Sequence, residues 1–141
     1  MELYYASGLR YETGDIIQPG NWGRVIAGNG PLDRNYYLEM FLEEVRRQVA
    51  PDKPSRLRAF YGLRHMADLA RYQGQTNLPY GYKVVVASGS TVDFADLEAF
   101  DRLGYARGYA DSRGFSEEYW AARGSYLEVL TDGPAEVVEV L

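Results

Sequence analysis

The chain has 141 residues and a mass of 16.0 kDa, enough for one domain that buries its own core without disulfide or metal support. Its composition, 46% hydrophobic and 25% charged with a mean hydropathy of -0.37, is that of a globular protein, and no apolar run approaches the roughly eighteen residues of a membrane helix. Zero Cys and a single His, His65, exclude thiol catalysis, a disulfide framework and a two-histidine metal helix, while a net charge of -5 with only two lysines, Lys53 and Lys83, leaves no dense basic block for a broad phosphate-binding surface.

The first segment, Leu3-Tyr4-Tyr5-Ala6, is short, aromatic and β-prone, and Gly8 and Thr13-Gly14-Asp15 after it predict a strand running into a loop. No basic stretch followed by an apolar core stands here, so a cytoplasmic protein without a signal peptide is expected. Asp15-Ile16-Ile17 and Arg24-Val25-Ile26-Ala27 are two further short apolar runs, separated by Gln18-Pro19-Gly20-Asn21-Trp22-Gly23, which reads as a turn with Trp22 capping a core. From Asp33 to Val49, Tyr37, Leu38, Phe41, Leu42, Val45 and Val49 recur at three- and four-residue spacing, an amphipathic helix with Asp33 as N-cap, ended by Pro51 and Pro54. Glu43-Glu44 beside Arg46-Arg47 is its solvated, ion-paired face.

Arg56 to Tyr61 alternates polar and apolar residues before Gly62, the pattern of a strand. Met66 to Tyr72 is helical in composition and stops before Gly74, with His65 as a surface or capping residue at its start. Tyr82-Lys83-Val84-Val85-Val86-Ala87 is the clearest buried strand. Asp93 and Asp96 open a predicted helix through Phe94, Leu97, Phe100 and Leu103; Gly104 to Gly114 reads as loop, and Ser116 starts a short helical piece through Trp120. Tyr126 to Leu130 and Glu136 to Val140, joined by Thr131-Asp132-Gly133-Pro134, predict a terminal hairpin. Alternation places Glu128 on the face of Tyr126 and Leu130, opposite Leu127 and Val129. One domain, 1–141, accounts for the whole.

Thirteen of the residues are Tyr, a side chain with a flat apolar face and a polar tip that suits both core edges and ring-stacking pockets. No glycine fingerprint or lysine-bearing nucleotide loop follows any strand; Gly28-Asn29-Gly30 is too short for one. Three positions stand out together: Tyr61 ending a strand, Tyr72 ending the next helix with ten residues between them, and Glu128 on a late strand. Taken alone, the local pattern makes Tyr61 and Tyr72 core residues and Glu128 a solvent-facing one.

With Leu3-Tyr4-Tyr5-Ala6-Ser7 at the start and Leu127-Glu128-Val129-Leu130 near the end, this order resembles the ADP-ribosyltransferase superfamily, in its diphtheria-toxin-like and poly(ADP-ribose)-polymerase-like branch. Gly14-Asp15-Ile16-Ile17, Trp22-Gly23, Pro54-Ser55-Arg56-Leu57 and Tyr119-Trp120 also look like a family of small bacterial and phage proteins of that fold. The resemblance implies an α+β fold, a split and mostly antiparallel sheet with short flanking helices, whose cleft is floored by the first strand, the Tyr61 strand and the Glu128 strand. It implies NAD as co-substrate and ADP-ribose transfer to a protein or nucleic-acid acceptor, with Glu128 as the catalytic carboxylate. Such a carboxylate would stabilise an oxocarbenium-like ribose, as carboxylates do in glycosidases. Tyr61 and Tyr72 would stack the cationic nicotinamide ring, Tyr5 and Ser7 would offer hydroxyls to the adenosine ribose, and Arg56 or Arg10 would hold the pyrophosphate. Tyr5 stands where the family carries His. That departure keeps open an inactive binding module of the same fold that docks a partner protein; an NAD glycohydrolase, with water as acceptor, would share the same cleft.

Overall fold

The computed structural model describes all residues from Met1 to Leu141. Seven strands, β1 (Glu2–Ser7), β2 (Ile16–Ile17), β3 (Phe60–Leu63), β4 (Tyr80–Val86), β5 (Val92–Asp96), β6 (Leu127–Thr131) and β7 (Ala135–Val140), are interspersed with five α-helices: α1 (Asn21–Asn29), α2 (Arg34–Val49), α3 (Met66–Thr76), α4 (Leu97–Leu103) and α5 (Tyr109–Ala121). The strands form one open sheet in the order β2-β7-β4-β1-β3-β6-β5, and every neighbouring pair is antiparallel. The protein is therefore α+β. None of its helices is long and apolar enough to cross a membrane.

The two-residue side-chain period separates the faces of the sheet. Leu3, Phe60, Val84, Val129 and Val137 pack together on one face, with Tyr5 and Tyr11 against them and no helix contributing. Ala6, Leu63 and Leu130 lie on the other, against α2, α3, α4 and α5. The register confirms the sorting, because Tyr4 pairs with Leu63, Tyr61 with Leu130 and Leu63 with Glu128, and paired residues share a face. One seam is thin. β1 and β4 pair along six residues, whereas β1 and β3 share the single pair Tyr4 and Leu63. Gly62 allows even that approach, since a Cβ there would stand 3.0 Å from the Tyr4 carbonyl and 3.2 Å from the Leu3 Cβ.

Several local expectations change. Arg24-Val25-Ile26-Ala27 is helical, because α1 starts at Asn21 and takes in Trp22 and Gly23 from the expected turn. The strand expected from Arg56 is confined to Phe60–Leu63; Arg58 and Ala59 instead donate their N–H groups to the Ser55 carbonyl, a turn. Phe94 lies in β5, and Asp96, not Asp93, caps the next helix by accepting from the N–H groups of Glu98 and Ala99. α5 starts at Tyr109, within the segment expected to be loop. The terminal hairpin does not form: β6 pairs with β3 and β5, β7 with β4 and β2, so the Asp132-Gly133 turn carries the chain to another part of the sheet. Asp33 caps α2 as expected, its side chain accepting from the Asn35 N–H.

Candidate functional site

Arg56 is the centre of the densest buried polar cluster. The turn that carries it is tied to α2: Arg46 donates to the carbonyls of Pro51 and Lys53, and Ser55 donates its hydroxyl to Glu43 at 2.8 Å. From that turn the guanidinium reaches beneath the sheet and is 4% exposed. Its Nε donates to Glu39 Oε1 at 2.9 Å, and its Nη1 donates to Glu128 Oε1 at 3.0 Å and Oε2 at 3.2 Å. The planar cation also lies over two rings, 4.9 Å from the centroid of Tyr61 and 4.5 Å from that of Phe100. Burial opposes its charge, but the two carboxylates outweigh burial and hold it firmly protonated.

Both carboxylates are as buried as the cation, each 1% exposed. Glu39 Oε1 accepts a second hydrogen bond, from Trp22 Nε1 at 2.7 Å, while its Oε2 has no partner. Burial raises the Glu39 pKa against the opposing pull of Arg56. Glu128 Oε1 accepts from the Tyr119 hydroxyl as well as from Arg56. The Tyr119 hydroxyl is pushed well above its ordinary value by burial, so it stays a proton donor. Oε2 of Glu128 shares only the longer Arg56 contact and keeps acceptor capacity.

Glu128 borders a cavity of about 10 Å³, together with Tyr4, Tyr5, Tyr61, Gly62 and Tyr72. That is room for about one water molecule. It lies at the thin seam between β1 and β3. The Tyr61 and Tyr72 hydroxyls adjoin each other; burial raises Tyr61 well above its ordinary value and pushes Tyr72 up to about 12. Both therefore present neutral O–H groups.

The structure thus gathers Tyr61, Tyr72 and Glu128 on one face, around one space. Tyr5 borders that space from β1, but its ring packs on the opposite face, 4.9 Å from Phe60 and 6.5 Å from Tyr11 and Tyr82. Ser7 is buried away from the cavity, its Oγ accepting from the Leu9 N–H at 3.0 Å. Arg56 spends its Nε and Nη1 on the two carboxylates and lies outside the lining of this cavity. Arg10 is at the surface, its Nε donating to the Tyr80 hydroxyl at 2.8 Å. Glu128 does not point into water.

Glu39, Tyr119 and Phe100 join the site without having stood out in the sequence. One signal for Glu39 was there: it sits three residues before Leu42 and six before Val45, in register with the buried stripe of α2, where a carboxylate needs a buried partner. No family model fits the sequence, and no curated protein matches it.

Proposed function

We propose that the protein is a mono-ADP-ribosyltransferase that takes NAD and modifies a protein or nucleic-acid acceptor, on a split-sheet fold of the ADP-ribosyltransferase type. The observation that carries this reading is the convergence of Tyr61, Tyr72 and Glu128 on one cavity between β1 and β3. Adjacent positions of β1, β3 and β6 in the sheet support it, since those strands carry the three segments of the resemblance.

The side chains fit NAD in chemistry. Tyr61 and Tyr72 offer rings of the kind that stack a flat cation, worth about 0.5–2 kcal/mol each. Glu128 is a carboxylate with an oxygen left to accept from a ribose hydroxyl and to stabilise positive charge on the sugar. When bound, NAD supplies the activated bond between ribose C1′ and the nicotinamide nitrogen. In transfer that bond breaks with its electron pair going to nicotinamide, and an acceptor oxygen or nitrogen bonds C1′ and releases its proton. The room does not fit without movement: a space for one water admits no nicotinamide ring until Tyr61 and Tyr72 separate. Arg56 already stacks over Tyr61, so the ring has Tyr72 and the remaining Tyr61 surface to meet.

Release of nicotinamide from NAD by the wild type and by Glu128→Gln tests the proposal. The wild type is expected to release it and the variant, with one charge removed at constant shape, to lose release by a hundredfold or more while keeping its fold. Equal release by the two proteins contradicts the assignment of Glu128. Free ADP-ribose as the sole product would make the protein a glycohydrolase, with water as acceptor. The closed cavity and Tyr5 favour a second reading, a binding module of the same fold that docks a partner protein. Absence of NAD affinity in the intact protein is its signature.

A further inference from the structure

Glu128 is held in a way that a bystander carboxylate would not need. A lone glutamate on a strand facing helices would be replaced by an apolar residue at little cost, or paired once. Here three elements meet to fix it: Arg56 from the turn before β3, Tyr119 from α5 and, through Arg56, Glu39 from α2. The contacts are unequal on the two oxygens. Oε1 takes Arg56 and Tyr119, which determine the plane and direction of the carboxylate; Oε2 shares the weaker Arg56 contact and retains a lone pair.

The charge balance is as specific as the geometry. A single arginine opposite a single glutamate would form a closed neutral pair. With Glu39 on its Nε, Arg56 divides its charge between two carboxylates, and a cluster of one cation and two anions keeps a net negative charge when both are ionised. Trp22 supports Glu39 in turn, and Tyr61 and Phe100 both pack against the guanidinium, so Arg56 has little freedom to rotate away.

We propose that Arg56 and Tyr119 are positioning residues that fix the Glu128 carboxylate for reaction at Oε2, with Glu39 as the counter-carboxylate that orients Arg56. This rests on the transferase reading for its chemistry, but the positioning itself is measurable without NAD. Around Glu128 the titratable and charged groups are Arg56, Tyr119 on α5, Glu39 on α2, Tyr61 on β3 and Tyr72 on α3. Tyr119→Phe deletes one donor to Oε1 and leaves the ring in place; Arg56→Lys keeps the charge but loses the fork that reaches both carboxylates.

The experiment follows the carboxyl 13C signal of Glu128 in labelled protein, assigned by its disappearance in Glu128→Gln, alongside nicotinamide release. In Tyr119→Phe the signal is expected to move or broaden with the fold retained, and kcat to fall about ten- to a hundredfold while KM for NAD stays within about twofold. Arg56→Lys is expected to move the signal further. An unmoved Glu128 signal in Tyr119→Phe overturns the proposal, and so does a fall in kcat that tracks loss of folded protein. A moved signal in Tyr119→Phe, together with a wild type that releases no nicotinamide, would keep the positioning and remove the transferase reading, so the two failures are distinct.

Discussion

Removing Arg56 and removing Glu128 are not equivalent changes, because the cluster holds two carboxylates to one cation. Arg56→Met leaves Glu39 and Glu128 buried without a counter-charge and is expected to cost about 3–5 kcal/mol. Glu128→Gln leaves Arg56 paired with Glu39 and is expected to cost clearly less. Urea unfolding of the two variants checks the order; equal losses would mean that Glu39 does not neutralise Arg56. Glu39 also gives a pH signature. Its folded pKa is raised by burial, so the native state keeps a proton that the unfolded chain has given up. Stability from this group is complete below the ordinary glutamate range and declines as pH climbs from there through the raised folded value. The stability difference between wild type and Glu39→Gln is therefore expected to favour wild type most at low pH and to shrink as pH rises through that window, measured by urea midpoints. A difference that grows with pH would place Glu39 on the opposite side of its ordinary value. At this scale Tyr61, Tyr72 and Glu128 were legible in the sequence through their order, whereas the enclosure of Arg56 was not, because a three-element cluster has no local pattern.

Close packing of elements decides whether Arg56 can be delivered at all. α1 lies flush on the 57–59 turn: a Cβ at Gly23 would stand 2.0 Å from the Leu57 carbonyl oxygen, and the Gly20 N–H donates to the Ala59 carbonyl at 3.0 Å. Gly23→Ala must push α1 from the turn that bears Arg56 and is expected to lower stability by about 1–3 kcal/mol. The loss should appear as a lower urea midpoint, and an unchanged midpoint would show that α1 does not clamp the turn. Asp96 offers a cleaner contrast, since its side chain caps α4 through two N–H groups. Asp96→Ala is expected to cost about 1 kcal/mol, read by the same titration. Elements with sustained periodicity, α2 and β4, were readable from their residues. α1 was not: its nine residues include Gly23 and Gly28, and glycine has low helix propensity, so tertiary contacts through Trp22 and Ile26 make it a helix. The hairpin expectation failed for a related reason. Alternation and an Asp-Gly turn specify two strands and a bend, but β3 and β5 outcompete β7 for the edges of β6, a choice made by packing across the whole sheet.

Over the whole molecule, the sheet order explains why residues so distant in sequence share one space. β7 lies between β2 and β4, so the last strand of the chain closes the half of the sheet that includes β1. The single residue pair between β1 and β3 leaves the two halves joined by the fewest paired residues where Tyr61, Tyr72 and Glu128 meet. The proposed NAD site is this seam. The most direct measurement is the thermal midpoint with and without millimolar NAD, in the wild type and in Tyr72→Ala. A ligand at about a hundred times its dissociation constant adds about 2.7 kcal/mol to stability, a rise of several degrees for a domain of this size. That rise is expected in the wild type, with its loss or marked reduction in Tyr72→Ala; no rise in the wild type, or an equal rise in both proteins, would contradict NAD binding at the seam.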